Sequence, residues 1–357
     1  MKILKNFIYR TGWNSQLRDS SKMWLDKNEN NDLYLKDIYL DVLKKAKFSD
    51  ISAYPDLTDT YQKLSSFFKL SAKKLYLTSG SDLAIKSIFE SCIHSGDKVV
   101  ITNPTYAMYK IYCELFRANY FLINYEYAQK GPYLNIEKLI NLIKKHRPKL
   151  ICIPNPDSPT GQVIEKKNIE LILHTAKKSK SLVLIDEAYY LFYKNSSINY
   201  IKKFNNLIII RSASKAMAIA GLRVGIIISN SSLIKRIFMH KPMYEISSLA
   251  SFFIKQIIQP KNYKLIQNSV KRLLEGKKLF VNYLNKVNIP YFDSHGNFIH
   301  LNLGSSRKNI IKELRKYIYF RAEEKHPSLR GYSRISLTSA KNFKLIIKII
   351  DKFHSKK

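Results

Sequence analysis

Between about residue 74 and residue 230, short apolar runs alternate with stretches of helical periodicity. The run KLYLTSG precedes SDLAIKSIFESCI, where one helical face carries Ala84, Ile85, Ile88, Phe89 and Cys92. The unit recurs as NIEKLINLIKKH before KLICIPNP and as NIELILHTAKK before LVLIDEAYY. Parallel strands need long crossovers, and both faces of a parallel sheet must be covered. The alternation therefore predicts an α/β fold with a mostly parallel sheet flanked by helices.

After about residue 230 this rhythm fades. SLIKRIFMH and the stretch 262–285 have the periodicity of longer helices. They are followed by a strand in NFIHLNL, a helix in KNIIKELRKY, a strand-like RISLT and a closing helix in KNFKLIIKIIDKF. We expect a large domain over residues 36–265 and a smaller α+β domain formed by residues 1–35 plus 266–357.

The net charge of the chain is +34, from 61 lysines and arginines against 27 aspartates and glutamates. Such a charge could attract nucleic acid, an anionic membrane surface or an anionic substrate. The lysines, however, are spread over the whole length, and the sequence contains no RNA-recognition, zinc-finger or helix-turn-helix signature. The composition thus argues against nucleic acid as the main partner.

Lysines and arginines interrupt every long apolar stretch, including the N-terminal MKILKNFIYRTGW. A membrane span and a secretory signal are both disfavoured, so we expect a cytoplasmic protein. Cys92, Cys113 and Cys152 each lie in an apolar run, where a buried reduced thiol fits best. Neither a disulfide framework nor a metal site is predicted.

Polar segments stand at the ends of five predicted strands. They are SGSD (79–82), NPTY (103–106), PNPDSPTG (154–161), DEAYY (186–190) and SASKA (212–216). In an open parallel sheet, ligands bind outside the carboxyl ends of the strands. These five segments should therefore share one site.

Several of these residues suit a cofactor that carries a phosphate and a ring. The backbone N–H groups after Gly80 and the Ser81 hydroxyl could hold a phosphate, although an ordinary helix cap by Ser81 is the simpler alternative. Asp186 needs a cation such as a protonated ring nitrogen, and a salt bridge or a helix cap would serve equally. Asn155 and Tyr189 could donate to one ligand oxygen, or serve in a turn and in packing.

The last strand end offers a nucleophile. Lys215 follows Ser212 and Ser214 in a segment poor in other lysines. In a desolvated pocket the pKa of a lysine falls, and its amine can form a Schiff base with a carbonyl. Arg223 could bind a phosphate dianion, and Tyr106 could stack on an aromatic ligand or pack in the core. The order of these residues along one sheet edge is what predicts a site.

Together the motifs resemble the fold type I aminotransferases that use pyridoxal phosphate, and among them the histidinol-phosphate aminotransferase-like branch. The similarity covers nearly the whole chain, from LDKNEN (25–30) and YPD (54–56) through the five strand-end segments and SASKAMAIAGLRVG to NF (297–298) and SRISL (333–337). It implies the fold type I large domain with a smaller α+β domain, and a homodimer whose active sites are shared.

The resemblance implies roles for the residues around the cofactor ring. Lys215 would hold the cofactor as a Schiff base and then move the proton between substrate and cofactor. Asp186 would keep the pyridine nitrogen protonated, which makes the ring an electron sink. Asn155 and Tyr189 would hydrogen-bond the ring hydroxyl oxygen, and Tyr106 would stack on the ring.

It also implies how the anionic groups are held. Tyr54 would reach a phosphate in the neighbouring subunit, Arg334 would bind the substrate carboxylate, and Arg321 would assist with a second anionic end. The cofactor phosphate would be held by Ser81, the amide of Asp82, Ser212 or Ser214, and Arg223.

The implied activity is transfer of an amino group between glutamate and a small, phosphorylated carbonyl or amine. Decarboxylation of phosphoserine or phosphothreonine is an alternative in the same fold. From a different class, the chain could be a polyanion-binding module that has kept the fold. The binding-module hypothesis is disfavoured because the residues assigned to the cofactor are all present, namely Lys215, Asp186, Asn155, Tyr189 and Arg223.

Overall fold

The computed structural model describes residues 17–354. The strands are β1 (Met23–Trp24), β2 (Leu75–Thr78), β3 (Lys98–Asn103), β4 (Asn119–Glu126), β5 (Tyr133–Leu134), β6 (Leu150–Pro154), β7 (Leu182–Asp186), β8 (Leu207–Ser212), β9 (Gly225–Ser229), β10 (Tyr291–Phe292), β11 (Phe298–Leu301), β12 (Ile318–Tyr319) and β13 (Ser333–Ser336).

The α-helices are α1 (Lys36–Leu43), α2 (Ser49–Ser52), α3 (Thr58–Phe68), α4 (Gly80–Cys92), α5 (Ala107–Leu115), α6 (Ile136–His146), α7 (Lys166–Lys178), α8 (Ser231–Phe238), α9 (Ser248–Ile257), α10 (Pro260–Lys286), α11 (Arg307–Leu314) and α12 (Ala340–His354). Short 3-10 helices cover Leu33–Leu35, Ala72–Lys74, Ile198–Lys202, Ala220–Leu222, Gly304–Ser306 and Pro327–Leu329.

An eight-stranded sheet forms the centre of the molecule, in the order β2-β9-β8-β7-β6-β3-β4-β5. The strands from β8 to β4 along this order run parallel to one another. β9 is antiparallel to both of its neighbours, and β5 is antiparallel to β4. The sheet is therefore mixed but mostly parallel, and the predicted fold class is confirmed.

Side chains alternate along each strand, so every strand supplies apolar side chains to both faces of the sheet, and helices cover both faces. In β6, Ile151 and Ile153 join one core cluster, while Leu150 and Cys152 join the other. The predicted apolar face of α4 packs into the second cluster, and those of α6 and α7 pack into the first. Cys92, Cys113 and Cys152 are free and buried, and burial raises the pKa of all three thiols.

A second layer combines the two ends of the chain. β10, β11 and β13 form a three-stranded antiparallel sheet, and α10 packs against α12. β1 pairs in parallel with β12, with Met23 opposite Ile318. This pairing supports our proposed division, in which residues before 36 join residues after 265 in the smaller domain. Among the described helices, none is long and apolar enough to cross a membrane.

Candidate active site

A cavity of about 380 Å³ lies where the strand ends of the large sheet meet the smaller layer. All five predicted strand-end segments contribute to its wall. Its lining comprises Lys27, Asn28, Glu29, Ser81, Asp82, Tyr106, Pro154, Pro156, Ser158, Asp186, Ala188, Tyr189, Ser212, Ser214, Lys215, Ala220, Arg223, Arg321 and Arg334. The structure thus brings together every predicted site residue except Asn155 and Tyr54.

Lys215 reaches across the cavity from the loop after β8. Its Nζ donates to the backbone carbonyl oxygen of Lys27 at 2.9 Å and lies 5.9 Å from the ring centroid of Tyr189. The turn that carries it is held by the Ser212 hydroxyl, which accepts from the backbone N–H of Ser214 at 3.2 Å. The amine is therefore available to a carbonyl group that enters the cavity.

Asp186 ends β7 between its neighbours β6 and β8 and is only 6% exposed. The Tyr109 hydroxyl donates to one carboxylate oxygen and the Ala188 N–H to the other, each at 3.0 Å. Burial raises the pKa of Asp186 to about 6, although both hydrogen bonds favour the ionised form. A cation bound beside this carboxylate would remove the penalty of burying it alone.

The first turn of α4 forms an anion cradle with Arg223. The helix begins at Gly80 with Ser79 as its N-cap, so Ser81 lies inside the first turn and is not the cap. Within the described chain, the Ser79 side chain makes no capping hydrogen bond. The first N–H groups of the helix thus remain available to a phosphate. A Cβ added at Gly80 would lie 2.3 Å from Arg223 Nη2, which puts the guanidinium against the helix start.

A second glycine makes this close approach possible. Gly225 lies on β9 opposite Ser212 and Thr78, and a Cβ there would lie 2.4 Å from the carbonyl carbon of Gly80. The Arg223 Nη1 donates to the Ser214 hydroxyl at 3.3 Å. The donor set at this end therefore fits a phosphate dianion.

Tyr106 borders the cavity next to this cradle. It precedes α5, is 42% exposed, and packs edge-to-face on Tyr109 with ring centroids 6.5 Å apart. Burial of its hydroxyl and the nearby carboxylates of Asp82 and Asp186 raise the pKa of Tyr106 to about 12. The partly exposed ring suits stacking on a flat ligand.

Two arginines from the smaller layer also line the cavity. The backbones of Arg321 and Arg334 exchange hydrogen bonds of 3.0 and 2.8 Å. Arg334 is 5% exposed, and its Nε lies 3.4 Å from Oε1 of Glu324. Its Nη2 donates to the carbonyl oxygen of Asp26 at 3.3 Å. Burial lowers the pKa of Arg334, and a bound anion would favour its charged form.

Asn155 and Tyr54 occupy other surroundings. The Asn155 amide is 4% exposed, accepts from the Ile164 N–H at 2.8 Å and donates to the Ile164 carbonyl at 3.3 Å. Both of its ends therefore hold the 155–164 loop rather than face the cavity. Tyr54 lies outside the cavity, 79% exposed and stacked on Tyr244 at 4.4 Å. The roles proposed for both residues stay predictions.

Asn28 and Ser158 also line the cavity, although neither was assigned a role from its sequence pattern. The Asn28 amide donates to the Tyr189 hydroxyl at 2.9 Å, across 161 residues of sequence. Asn28 belongs to LDKNEN, which contributed to the family resemblance. No local sequence pattern predicts its contact with Tyr189, because the two residues are far apart in the chain. Ser158 lies in the same turn as Asn155, and sequence reasoning selected the amide rather than the hydroxyl.

The chain is similar in sequence to known proteins over most of its length. The family model for aminotransferase class I and II matches residues 20–350. A histidinol-phosphate aminotransferase of Caldanaerobacter subterraneus subsp. tengcongensis is 29% identical over 322 residues, 89% of either chain. That of Buchnera aphidicola subsp. Schizaphis graminum is 30% identical over 325 residues, which cover 88% of this chain and 87% of the other.

A solved structure extends the likeness to the fold. The histidinol-phosphate aminotransferase from Sinorhizobium meliloti, in complex with pyridoxal-5'-phosphate, superposes with a TM-score of 0.80 at 17% identity. The match covers 93% of this chain and 91% of that one.

Proposed function

The chain belongs to the aminotransferase class I and II family and uses pyridoxal phosphate, and we propose that it moves an amino group between glutamate and a small phosphorylated carbonyl or amine. One observation carries the proposal. The cavity combines Lys215 and Asp186 with an anion cradle at the start of α4 and two arginines from the smaller layer. A doubly anionic substrate would fit between the reacting lysine and these arginines.

The lining residues fit the cofactor. When bound, the cofactor supplies an electron sink for the charge that develops at the substrate Cα. We assign its ring nitrogen to Asp186, its ring face to Tyr106 and its ring hydroxyl oxygen to Tyr189. Its phosphate is assigned to Ser81, the amide of Asp82, Ser212, Ser214 and Arg223.

Lys215 is the residue we assign to proton transfer. Its Nζ would take the proton from the substrate Cα and return it to the acceptor carbon. The Lys27 carbonyl oxygen, 2.9 Å from Nζ, supports this assignment because it holds the free amine inside the cavity.

The two arginines support an anionic substrate. Arg334 is buried against Phe298, with its guanidinium carbon 5.3 Å from the ring centroid, and can hold a carboxylate in a fixed direction. Arg321 is exposed and is the candidate for a second anionic group, such as the phosphate of a substrate like histidinol phosphate. Decarboxylation is not favoured, because the family model and the curated relatives are those of aminotransferases.

A homodimer is part of the proposal. Exposed apolar side chains cluster where the segment 48–54 meets the segment 243–248, and they include Phe48, Ile51, Met243 and the stacked ring of Tyr54. Such a surface is typical of an interface with a second copy. Sedimentation should give twice the mass of the chain, and a fully active monomer would contradict this part. A cytoplasmic location stays a prediction.

The test of the function is a half-reaction. Glutamate added to the cofactor-loaded protein should change the absorbance of the bound cofactor and release its keto acid without carbon dioxide. A phosphorylated keto substrate should then restore the starting spectrum. An unchanged spectrum with glutamate and with every other amine tested would overturn the assignment, and release of carbon dioxide from phosphoserine or phosphothreonine would favour decarboxylation.

A further inference from the structure

Residues 27–29 line the cavity, and their segment is held from outside it. Arg18 forms ion pairs of 2.7 Å with Asp26 and 2.6 Å with Glu29. Between these anchors, Asn28 is 3% exposed and has a φ of +57°, a left-handed conformation that asparagine tolerates better than most residues. The segment is therefore fixed independently of a ligand.

The hydrogen bonds of Asn28 determine which way its amide points. The Ser336 hydroxyl donates to Oδ1 at 3.2 Å and accepts from the Asn28 backbone N–H at 3.0 Å. The Asn297 amide donates to the Asn28 carbonyl oxygen at 2.8 Å. With Oδ1 directed at the Ser336 hydroxyl, the NH₂ group is the one that faces the Tyr189 hydroxyl, and it donates to that oxygen at 2.9 Å.

Tyr189 therefore accepts at its hydroxyl oxygen, and its own proton must point elsewhere. The ring is 5% exposed and packs edge-to-face on Phe298, with ring centroids 5.6 Å apart. The ring is therefore fixed, and only the hydroxyl proton can still rotate. The direction left open to that proton is toward the cavity, whose wall Tyr189 forms.

Resting on the proposed function, we propose that Asn28 is a positioning residue that turns the Tyr189 O–H toward the ring hydroxyl oxygen of the cofactor. A donor at that oxygen draws electron density from it, so the oxygen attracts the proton on the neighbouring nitrogen of Lys215 less strongly. The Asn28 amide thereby lowers the pH at which this nitrogen loses its proton. The same segment also contacts Lys215 directly, through the Lys27 carbonyl oxygen.

The experiment is a pH titration of the absorbance of the bound cofactor in the full-length, cofactor-loaded protein. Asn28→Gly keeps the left-handed backbone and removes the amide, and it should raise the midpoint by about half to one pH unit. Tyr189→Phe should raise the midpoint by at least as much. The double variant should match Tyr189→Phe alone, because the amide acts through the tyrosine hydroxyl.

Asn31→Gly is the matched control, because Asn31 is exposed and its amide donates to the Trp24 carbonyl at 2.8 Å instead. It should leave the midpoint unchanged. If Asn28→Gly does not fold, Asn28→Asp replaces it, with Asn31→Asp as the control for the added charge. The Ser336 contact to Oδ1 survives that change.

A wild-type midpoint in Asn28→Gly, or shifts of Asn28→Gly and Tyr189→Phe that add in full, would overturn the proposal. A loss of thermal stability with no shift in the midpoint would show a purely structural role and overturn it equally. Failure of the wild-type protein to show the cofactor absorbance would instead contradict the proposed function.

Discussion

Replacing Asp186 by asparagine should stabilise the cofactor-free protein at neutral pH and weaken cofactor binding. Burial raises the pKa of this carboxyl from 3.8 to about 6. A shift of about two units corresponds to roughly 3 kcal/mol of unfolding free energy. Because the pKa is higher in the folded protein than in the unfolded one, the wild-type protein has its full stability below pH 3.8. It loses this roughly 3 kcal/mol as the pH rises through 6. At pH 8 the wild-type protein bears the full penalty.

The asparagine side chain removes the charge and keeps the shape. Its oxygen can accept from the Ala188 N–H, and its NH₂ group can face the Tyr109 hydroxyl oxygen. Urea unfolding of the cofactor-free proteins should show Asp186→Asn more stable by about 3 kcal/mol at pH 8 and by about half of that at pH 5. Tyr109→Phe is a control variant in which the pH dependence of stability should change in the opposite direction. It removes a hydrogen bond that favours the ionised carboxylate, so its stability should fall more steeply with pH than that of the wild type.

Cofactor binding should change in the opposite direction. Without the carboxylate, nothing at this position balances a protonated ring nitrogen, so affinity should fall by roughly 2 kcal/mol, about 30-fold. Equilibrium titration with pyridoxal phosphate measures this change. A stability difference that does not vary between pH 5 and 8, or an unchanged affinity, would refute the reasoning about burial and charge at Asp186.

Three further substitutions, one of them with a matched control variant, test separate parts of the site. Lys215→Ala should abolish turnover and the borohydride-reducible link to the cofactor while circular dichroism stays unchanged; a retained link would exclude this lysine. Gly225→Ala should cost about 1–3 kcal/mol in thermal unfolding and weaken cofactor binding, because the methyl group would lie 2.4 Å from Gly80. Gly221→Ala, with no described atom within 4 Å of the added carbon, should do neither, and equal effects would contradict the steric argument. Arg334→Lys should raise the KM for glutamate about tenfold or more by removing the paired donors, and an unchanged KM would assign the carboxylate elsewhere.

The helices and strands could be predicted because their signals are local. The apolar faces of α4, α6 and α7 repeat at helical spacing, and each buried run between them became a strand of the large sheet. The strand-end rule then placed five polar segments on one edge. The antiparallel direction of β9 was beyond this reasoning, because a buried strand has the same apolar sequence in either direction.

The two asparagines show where local signals stop being sufficient. Asn155 stands in a turn of prolines and was predicted to donate to a ligand, yet its amide is used within nine residues, by Ile164. Asn28 donates to the Tyr189 hydroxyl across 161 residues, and its distant contacts with Ser336 and Asn297 form only in the folded protein. A turn residue can satisfy its amide locally at little entropic cost, so the turn leaves fewer donors for the ligand. The Asn28 amide, in contrast, is held by residues distant in sequence and is fixed by the tertiary fold. Asn28 is therefore a better candidate than Asn155 for holding the Tyr189 hydroxyl in one orientation.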